Sequence, residues 1–231
     1  MSFVKRLFSL VRNPHMPWLI ISLARKISPF LAKFLQYGRL NINTKRYWDS
    51  VWASGSYQET EDERHSELRN RIIELIKPES EVLDVGCGSG SLMQLLRDRA
   101  HCRCTGIDIS TVSINIIREQ GFEGYVTKLP NLPPEILSRK FDFVIAAEVF
   151  EHLNKPEKTL MSLQKIVKPG GKLVATVPNA CMSPEETEDH VNTFTAESFQ
   201  ALISLYFEIE TCIPVRSGLQ DYLLISAMAR G

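Results

Sequence analysis

Three glycines and two acids carry the first chemical signal in the chain. Gly86, Gly88 and Gly90 sit in the run EVLDVGCGSG, with Asp84 just ahead of them, and Asp108 closes a second apolar run, TGID, 24 positions after Asp84. Glycines lack Cβ, so the backbone can turn sharply and approach a ligand, and a helix start behind them offers free amides to a carboxylate or phosphate. An acid ending the neighbouring strand can accept both hydroxyls of a ribose. Together they specify a ligand containing adenosine. The spacing departs from the dinucleotide G-x-G-x-x-G pattern, because the third glycine comes one residue sooner and Ser91 follows it, so the bound group need not be a pyrophosphate.

A second set lies downstream in EVFEHL: Glu148, Glu151 and His152, spaced i, i+3 and i+4. That spacing predicts one helix face just after a strand, at the edge of a parallel sheet where ligands bind. A neutral histidine there could take a proton from a hydroxyl, and a bound cation could promote the same loss. His190 could reach the same mouth. Two carboxylates and two imidazoles would then suit a divalent cation such as Mg; the alternative is a base accompanied by helix-capping carboxylates.

Such residues need a sheet to hold them, and the pattern from Glu67 onward alternates helix and strand. A helix through LRNRIIELI precedes the strand EVLDVG, then follow helix SLMQLLRDR, strand CRCTGIDI, helix TVSINIIREQ and the short strand GYVT. Strand FDFVIAA, a helix over the Leu160 to Val167 region and strand GKLVATV complete five parallel strands. After helix AESFQALISLY, the runs FEIETCIPV and DYLLISAMA, joined through Arg216 to Gln220, read as a terminal hairpin. The expected fold is α/β: a Rossmann-like, seven-stranded, mostly parallel sheet with helices on both faces and a C-terminal antiparallel hairpin.

With 231 residues, the chain has room for one sizeable α/β domain and one site. At 44% hydrophobic and 23% charged residues, disordered and fibrous classes are excluded. Five cysteines with no CxxC pair fit neither a disulfide framework nor a zinc knuckle, which points to a reducing compartment, the cytoplasm. Cys102 and Cys104 share one strand face and read as small apolar packing.

The formal net charge of +0 conceals two opposed parts. The first 48 residues hold no Asp or Glu and carry a charge of +9, leaving −9 from Asp49 onward. Residues 1–46 are expected to form a basic amphipathic helical extension, and residues 47–231 the enzyme-like domain. Two proline-opened helical runs over 17–38 are interrupted by Arg25, Lys26 and Lys33, which disfavours a membrane span and suits a helix lying on an anionic membrane surface, peripheral to its inner face. The alternative is a lid packed on the domain. The extreme N-terminus lacks the apolar core and cleavage site of a secretory signal, while an organellar transit peptide stays open behind the bacterial cytoplasmic reading.

From about Tyr47 to the C-terminus the chain resembles the class I S-adenosylmethionine-dependent methyltransferases. The likeness is carried by EVLDVGCGSG, TGIDIS, FDFVIAAEVFEHL, KPGGKLVATVPN and HVNTFTAESF. It implies S-adenosylmethionine as cofactor, with Gly86, Cys87, Gly88 and Gly90 along its methionine part, Asp108 and Ile109 at its ribose and Asp84 orienting the turn. Thr127, Lys128 and Leu129 stand where many relatives carry an acid for the adenine amine, so only Leu129 is carried over, as a wall of the adenine pocket. The E-x-x-E-H pattern is similar to that of ubiquinone-biosynthesis O-methyltransferases and of small-RNA 2′-O-methyltransferases, both associated with a divalent cation. The resemblance implies O-methylation of a small or lipid-linked hydroxylated acceptor, with His152 or His190 assisting proton removal and Glu148 beside them. An RNA acceptor and a non-catalytic cofactor-binding partner protein are the alternatives. Tyr47, Trp48 and Tyr57 precede the core where relatives fold a segment over the cofactor, or simply pack there.

Overall fold

Val82, Leu83 and Val85 are apolar on both faces of one short strand, and a strand of that kind is stable only between two layers of helix. The computed structural model describes residues 41–55, 65–179 and 189–230, and it places this strand, β1 (Glu81–Val85), inside a seven-stranded sheet. The other strands are β2 (Arg103–Asp108), β3 (Glu123–Val126), β4 (Phe141–Ala147), β5 (Val167–Pro178), β6 (Phe207–Ser217) and β7 (Gln220–Ala229). Their order is β3-β2-β1-β4-β5-β7-β6. Strands β1 to β5 run parallel, and β7 pairs antiparallel with both β5 and β6. The expected architecture, terminal hairpin included, is the one observed.

Alternation along the strands feeds two cores. Leu83, Val144 and Leu173 face one layer, with α5 (Pro134–Leu137), α6 (Pro156–Gln164) and α7 (Ala196–Ile203) contributing Ile136, Leu160 and Phe199. Val82, Ile145 and Val174 face the other, against Ile72, Met93 and Ile114 of α2 (Ser66–Leu75), α3 (Ser91–Ala100) and α4 (Thr111–Glu119). Cys102 and Cys104 are buried and unbridged in this second core, as packing residues. Strand order reverses between β2 and β4 on either side of β1, so a crevice opens at the carboxyl ends of these strands. Gly86, Asp108 and Glu148 all lie at that edge.

Helix α5 was not expected and Val167 begins β5 rather than ending a helix, and two further differences bear on the site. No helix face carries Glu148, Glu151 and His152: Glu148 has a left-handed φ of 57°, and only a 3-10 turn, Phe150–His152, follows. Pro156 explains the shortness, since it opens α6 and holds Lys155 out of the helical region, leaving room for a single turn after β4. The second is α1 (Lys45–Ala53), a helix in the aromatic stretch ahead of the core, capped by the Thr44 hydroxyl, which accepts from the Tyr47 amide. Most of the expected basic extension, with the helical runs over 17–38, lies outside the described residues, as do Tyr57 and Cys181. Among the described residues no helix is long and apolar enough to cross a membrane.

Candidate active site

The glycine turn is built by its backbone. Gly86 and Gly88 take φ values of 72° and 52°, and a Cβ at Gly88 would meet the Trp52 ring at 2.6 Å, so no other residue fits there without displacing α1. The Gly86 amide donates to the Ile107 carbonyl at 2.7 Å, and the Gly88 amide donates to Asp108 Oδ2 at 3.1 Å, fixing the turn to the end of β2. Asp108 Oδ1 accepts from the Ser110 amide at 2.8 Å. Burial pushes the Asp108 carboxyl up, while these donors pull it down. Each of its oxygens keeps acceptor capacity for a ribose hydroxyl.

Two adjoining cavities meet at this turn. The larger, about 540 Å³, is lined by Ile107, Asp108, Ile109 and Leu129 on one side and by Trp48, Glu148 and His152 on the other. The smaller, about 50 Å³, lies behind Gly86 among His65, Arg69, Asp84, Cys87, Ser89 and Glu148. Arg69 is a buried cation beside the N-terminus of α3, so this end could receive the carboxylate of an amino acid. Sequence reasoning did not single out Arg69 or His65. Their only signal was a place on or just before the helix preceding β1, which marks nothing unless the packing of that helix is known.

At the opposite end, His152 is positioned from three directions. A carbonyl only accepts, so the 3.1 Å contact between His152 Nδ1 and the Asp189 carbonyl requires the proton on Nδ1. Nε2 then presents its lone pair, 3.9 Å from Glu151 Oε1. The Trp48 and His190 rings stand edge-on to the imidazole at 5.2 and 4.9 Å. Burial holds His152 below its ordinary value of 6.5 against the opposing pull of Asp189, so the ring is neutral at physiological pH. Glu151, 1% exposed, is raised well above the usual carboxylate range by burial first and by Glu148 second. Tyr47 on α1 is pushed up to about 12 by burial and by Asp189.

Of the four residues expected to meet around a cation, three come together: ligand atoms of Glu151, His152 and His190 lie within 4.8 Å of one another. Glu148 is not among them. Its carboxylate accepts from the Thr176 hydroxyl at 2.9 Å, and it lines both cavities instead. Cys87 joins the turn through its backbone, since its thiol packs inward against Gly106 and Ser113, with burial pushing it well up. Asn192 was not foreseen: its amide donates to the Phe150 and Leu153 carbonyls at 3.0 and 2.6 Å, and with the Val191 and Asn192 amides on the Glu151 carbonyl it clamps the turn bearing His152.

A glycine bend and a strand-ending acid at the switch point, opening on a cavity walled by a neutral histidine, define a class I α/β enzyme built around a nucleoside. The chain belongs to the methyltransferase domain family, whose sequence pattern matches residues 57–206, and so to the S-adenosylmethionine-dependent methyltransferases. It is 36% identical over 95 residues to the ubiquinone biosynthesis O-methyltransferase of Bordetella avium, covering 39% of each chain. Over 155 residues it is 26% identical to the protein of that name in Xanthomonas oryzae, covering 55% of this chain and 64% of the relative. The matches thus span between about two fifths and just under two thirds of these relatives' length. The crystal structure of the N-methyltransferase NodS of Bradyrhizobium japonicum with S-adenosyl-L-homocysteine superposes with a TM-score of 0.57 at 16% identity, covering 98% of both chains. At that identity the likeness shows the fold alone.

Proposed function

We propose that the protein transfers the methyl group of S-adenosylmethionine to a hydroxyl of a small or lipid-linked acceptor. The observation that carries this reading is one cavity lined by both the ribose acid Asp108 and the neutral His152, whose Nδ1–H on the Asp189 carbonyl leaves the lone pair on Nε2. The adenosine would lie along Ile107, Asp108, Ile109 and Leu129, and the methionine carboxylate near Arg69 and the N-terminus of α3. The acceptor oxygen then attacks the methyl carbon in line with the breaking sulfur–carbon bond. The sulfonium becomes a neutral thioether, and His152 Nε2 takes the hydroxyl proton. Curated relatives named as ubiquinone biosynthesis O-methyltransferases support a hydroxyl as the acceptor group.

A divalent cation is a second element of this proposal. Neither Glu151 carboxylate oxygen has a hydrogen-bond partner although both are buried, which fits a ligand waiting for a cation alongside the nitrogens of His152 and His190. When bound, such an ion would act as a Lewis acid on the acceptor hydroxyl. The orienting contact is the same in either case, because Nδ1–H on the Asp189 carbonyl leaves Nε2 as the ligating or proton-accepting atom. The basic, acid-free residues 1–46 support delivery of the acceptor from an anionic membrane surface.

Saturating S-adenosylhomocysteine at about 100 times its Kd is expected to raise the melting temperature by about 5 to 10 °C. Methyl-labelled cofactor incubated with fractionated lipid, small-molecule and RNA extracts, with and without a chelator, then tests acceptor and metal together. Label in a lipid or phenolic fraction supports the proposal; label only in RNA, with affinity falling steeply in salt, replaces it by the RNA reading.

A further inference from the structure

We infer that Asp49 is a positioning residue for the cofactor, latching helix α1 across the site so that cofactor binding and closure of the acceptor end are coupled. The inference rests on the methyltransferase reading above. Asp49 lies on α1, outside every motif that carries the resemblance, yet its Oδ1 accepts from the Ser110 hydroxyl at 2.7 Å and from the Thr111 and Val112 amides at 2.7 and 3.2 Å. It therefore supplies, from another helix, a negative charge at the N-terminus of α4, where Ser110 already caps the Ser113 amide.

Ser110 makes the latch relevant to the ligand. Its amide donates to Asp108 Oδ1, and the Ser113 hydroxyl beneath it donates to the Gly88 carbonyl at 2.6 Å, while the Gly88 amide returns to Asp108 Oδ2. Ser110, Asp108, Gly88 and Ser113 thus form a closed ring of bonds to which Asp49 is joined through Ser110, with the ribose acid Asp108 as its cavity-lining member. Trp52, one turn after Asp49, lies on the face of Gly88. On the same face, one turn earlier, Trp48 stands against His152 and is tied by its indole N–H to Asn43, whose amide donates to the Asp189 carbonyl at 2.6 Å. Asn41 reaches Asn154 at 2.9 Å. Helix α1 is thus bonded to the nucleoside half through Asp49 and to the acceptor half through Asn41, Asn43 and Trp48.

Linkage makes the consequence reciprocal. If docking of α1 raises cofactor affinity by some factor, the cofactor raises docking of α1 by the same factor. Asp49 touches neither reacting atom, so it acts through Ser110 and Asp108 and through the helix it anchors. Charge matters to the latch as well as geometry, since the amides of a helix N-terminus favour a carboxylate over a neutral amide oxygen.

Calorimetric titration of S-adenosylhomocysteine into the full chain and its Asp49→Ala and Asp49→Asn variants tests the latch. It is combined with emission of Trp48 and Trp52 in a Trp18→Phe background and with hydrogen exchange over residues 41–53. Asp49→Ala is expected to weaken binding at least about 5-fold, to lose the ligand-induced change in tryptophan emission, and to lose ligand protection of α1. Asp49→Asn, which keeps the acceptor oxygen, is expected to fall between the two and to serve as the readout should the alanine variant not fold. Native protein that fails to bind S-adenosylhomocysteine overturns the methyltransferase reading and the latch with it. Native binding that persists unchanged in both variants, with α1 equally protected, overturns the latch alone.

Discussion

The nucleoside half and the acceptor half of the cavity are built by different means. The first is a single local unit, β1, the glycine turn, α3 and β2, in which backbone amides bind Asp108 and the neighbouring strand. The second is assembled from segments more than 30 residues apart: the 3-10 turn with His152, the stretch at Asp189 to Asn192, and the asparagines preceding α1. A site made of local backbone tolerates few substitutions at its glycines, and it is tied to the rest of the molecule through few side chains, Asp49 among them. A site made of side chains from scattered loops can be altered piece by piece.

The sharpest way to separate the halves is His152→Ala. Methyl transfer is expected to fall about 100-fold to 10,000-fold in kcat, the usual range for loss of a general base, while the Kd for S-adenosylhomocysteine measured by calorimetry stays within about 3-fold of native. A parallel loss of cofactor affinity would mean that the two halves are not separable. The converse variant is Gly88→Val, which places a branched Cβ at φ 52° and into the Trp52 ring. Cofactor binding is expected to weaken about 100-fold or more, with the fold retained by circular dichroism because the turn is at the sheet edge.

Smaller effects sharpen the contrast further. Asn192→Ala strips the Phe150 and Leu153 carbonyls of their shared donor and should cost about 1 to 3 kcal/mol of stability by denaturant titration. It should lower kcat more than it changes cofactor affinity, since it loosens only the turn bearing His152. The least effect concerns pH. Burial raises the Asp49 carboxyl, but Lys45, the Ser110 hydroxyl and the Val112 and Thr111 amides together bring it from 3.8 down to about 2. With the folded value below the unfolded one, its contribution to stability is fully present above the ordinary 3.8 and is lost as pH falls towards 2. Asp49→Ala should therefore be less stable than native at neutral pH, and the gap should close in melts taken below 3.8; a gap that persists at pH 2 contradicts the assignment.

The same contrast sets how far the site was legible in the sequence. Gly86, Gly88 and Asp108 act through backbone geometry and strand ends, features that a local run of residues encodes, and the structure places them together at the switch point. Five parallel strands and the terminal hairpin followed from apolar runs and turn residues in the same way. The i, i+3, i+4 spacing of Glu148, Glu151 and His152 misled, because Pro156 and the left-handed Glu148 cut the expected helix to a single turn. Even so, Glu151, His152 and His190 converge. The roles of Asn192 and Asp49 were not legible, because each acts on partners distant in sequence, and Arg69 lines a cavity that only the packing of α2 reveals.

The central claim is that the glycine bend and Asp108 hold a sulfonium nucleoside. Calorimetric titration of S-adenosylmethionine into native protein and into Asp108→Ala tests it most directly. Saturable binding by the native chain that weakens about 100-fold in the variant, as loss of two charge-assisted hydrogen bonds would give, is the expected result. Absence of native binding, equal binding by the variant, or preferential binding of a nicotinamide dinucleotide in the same titration would contradict it.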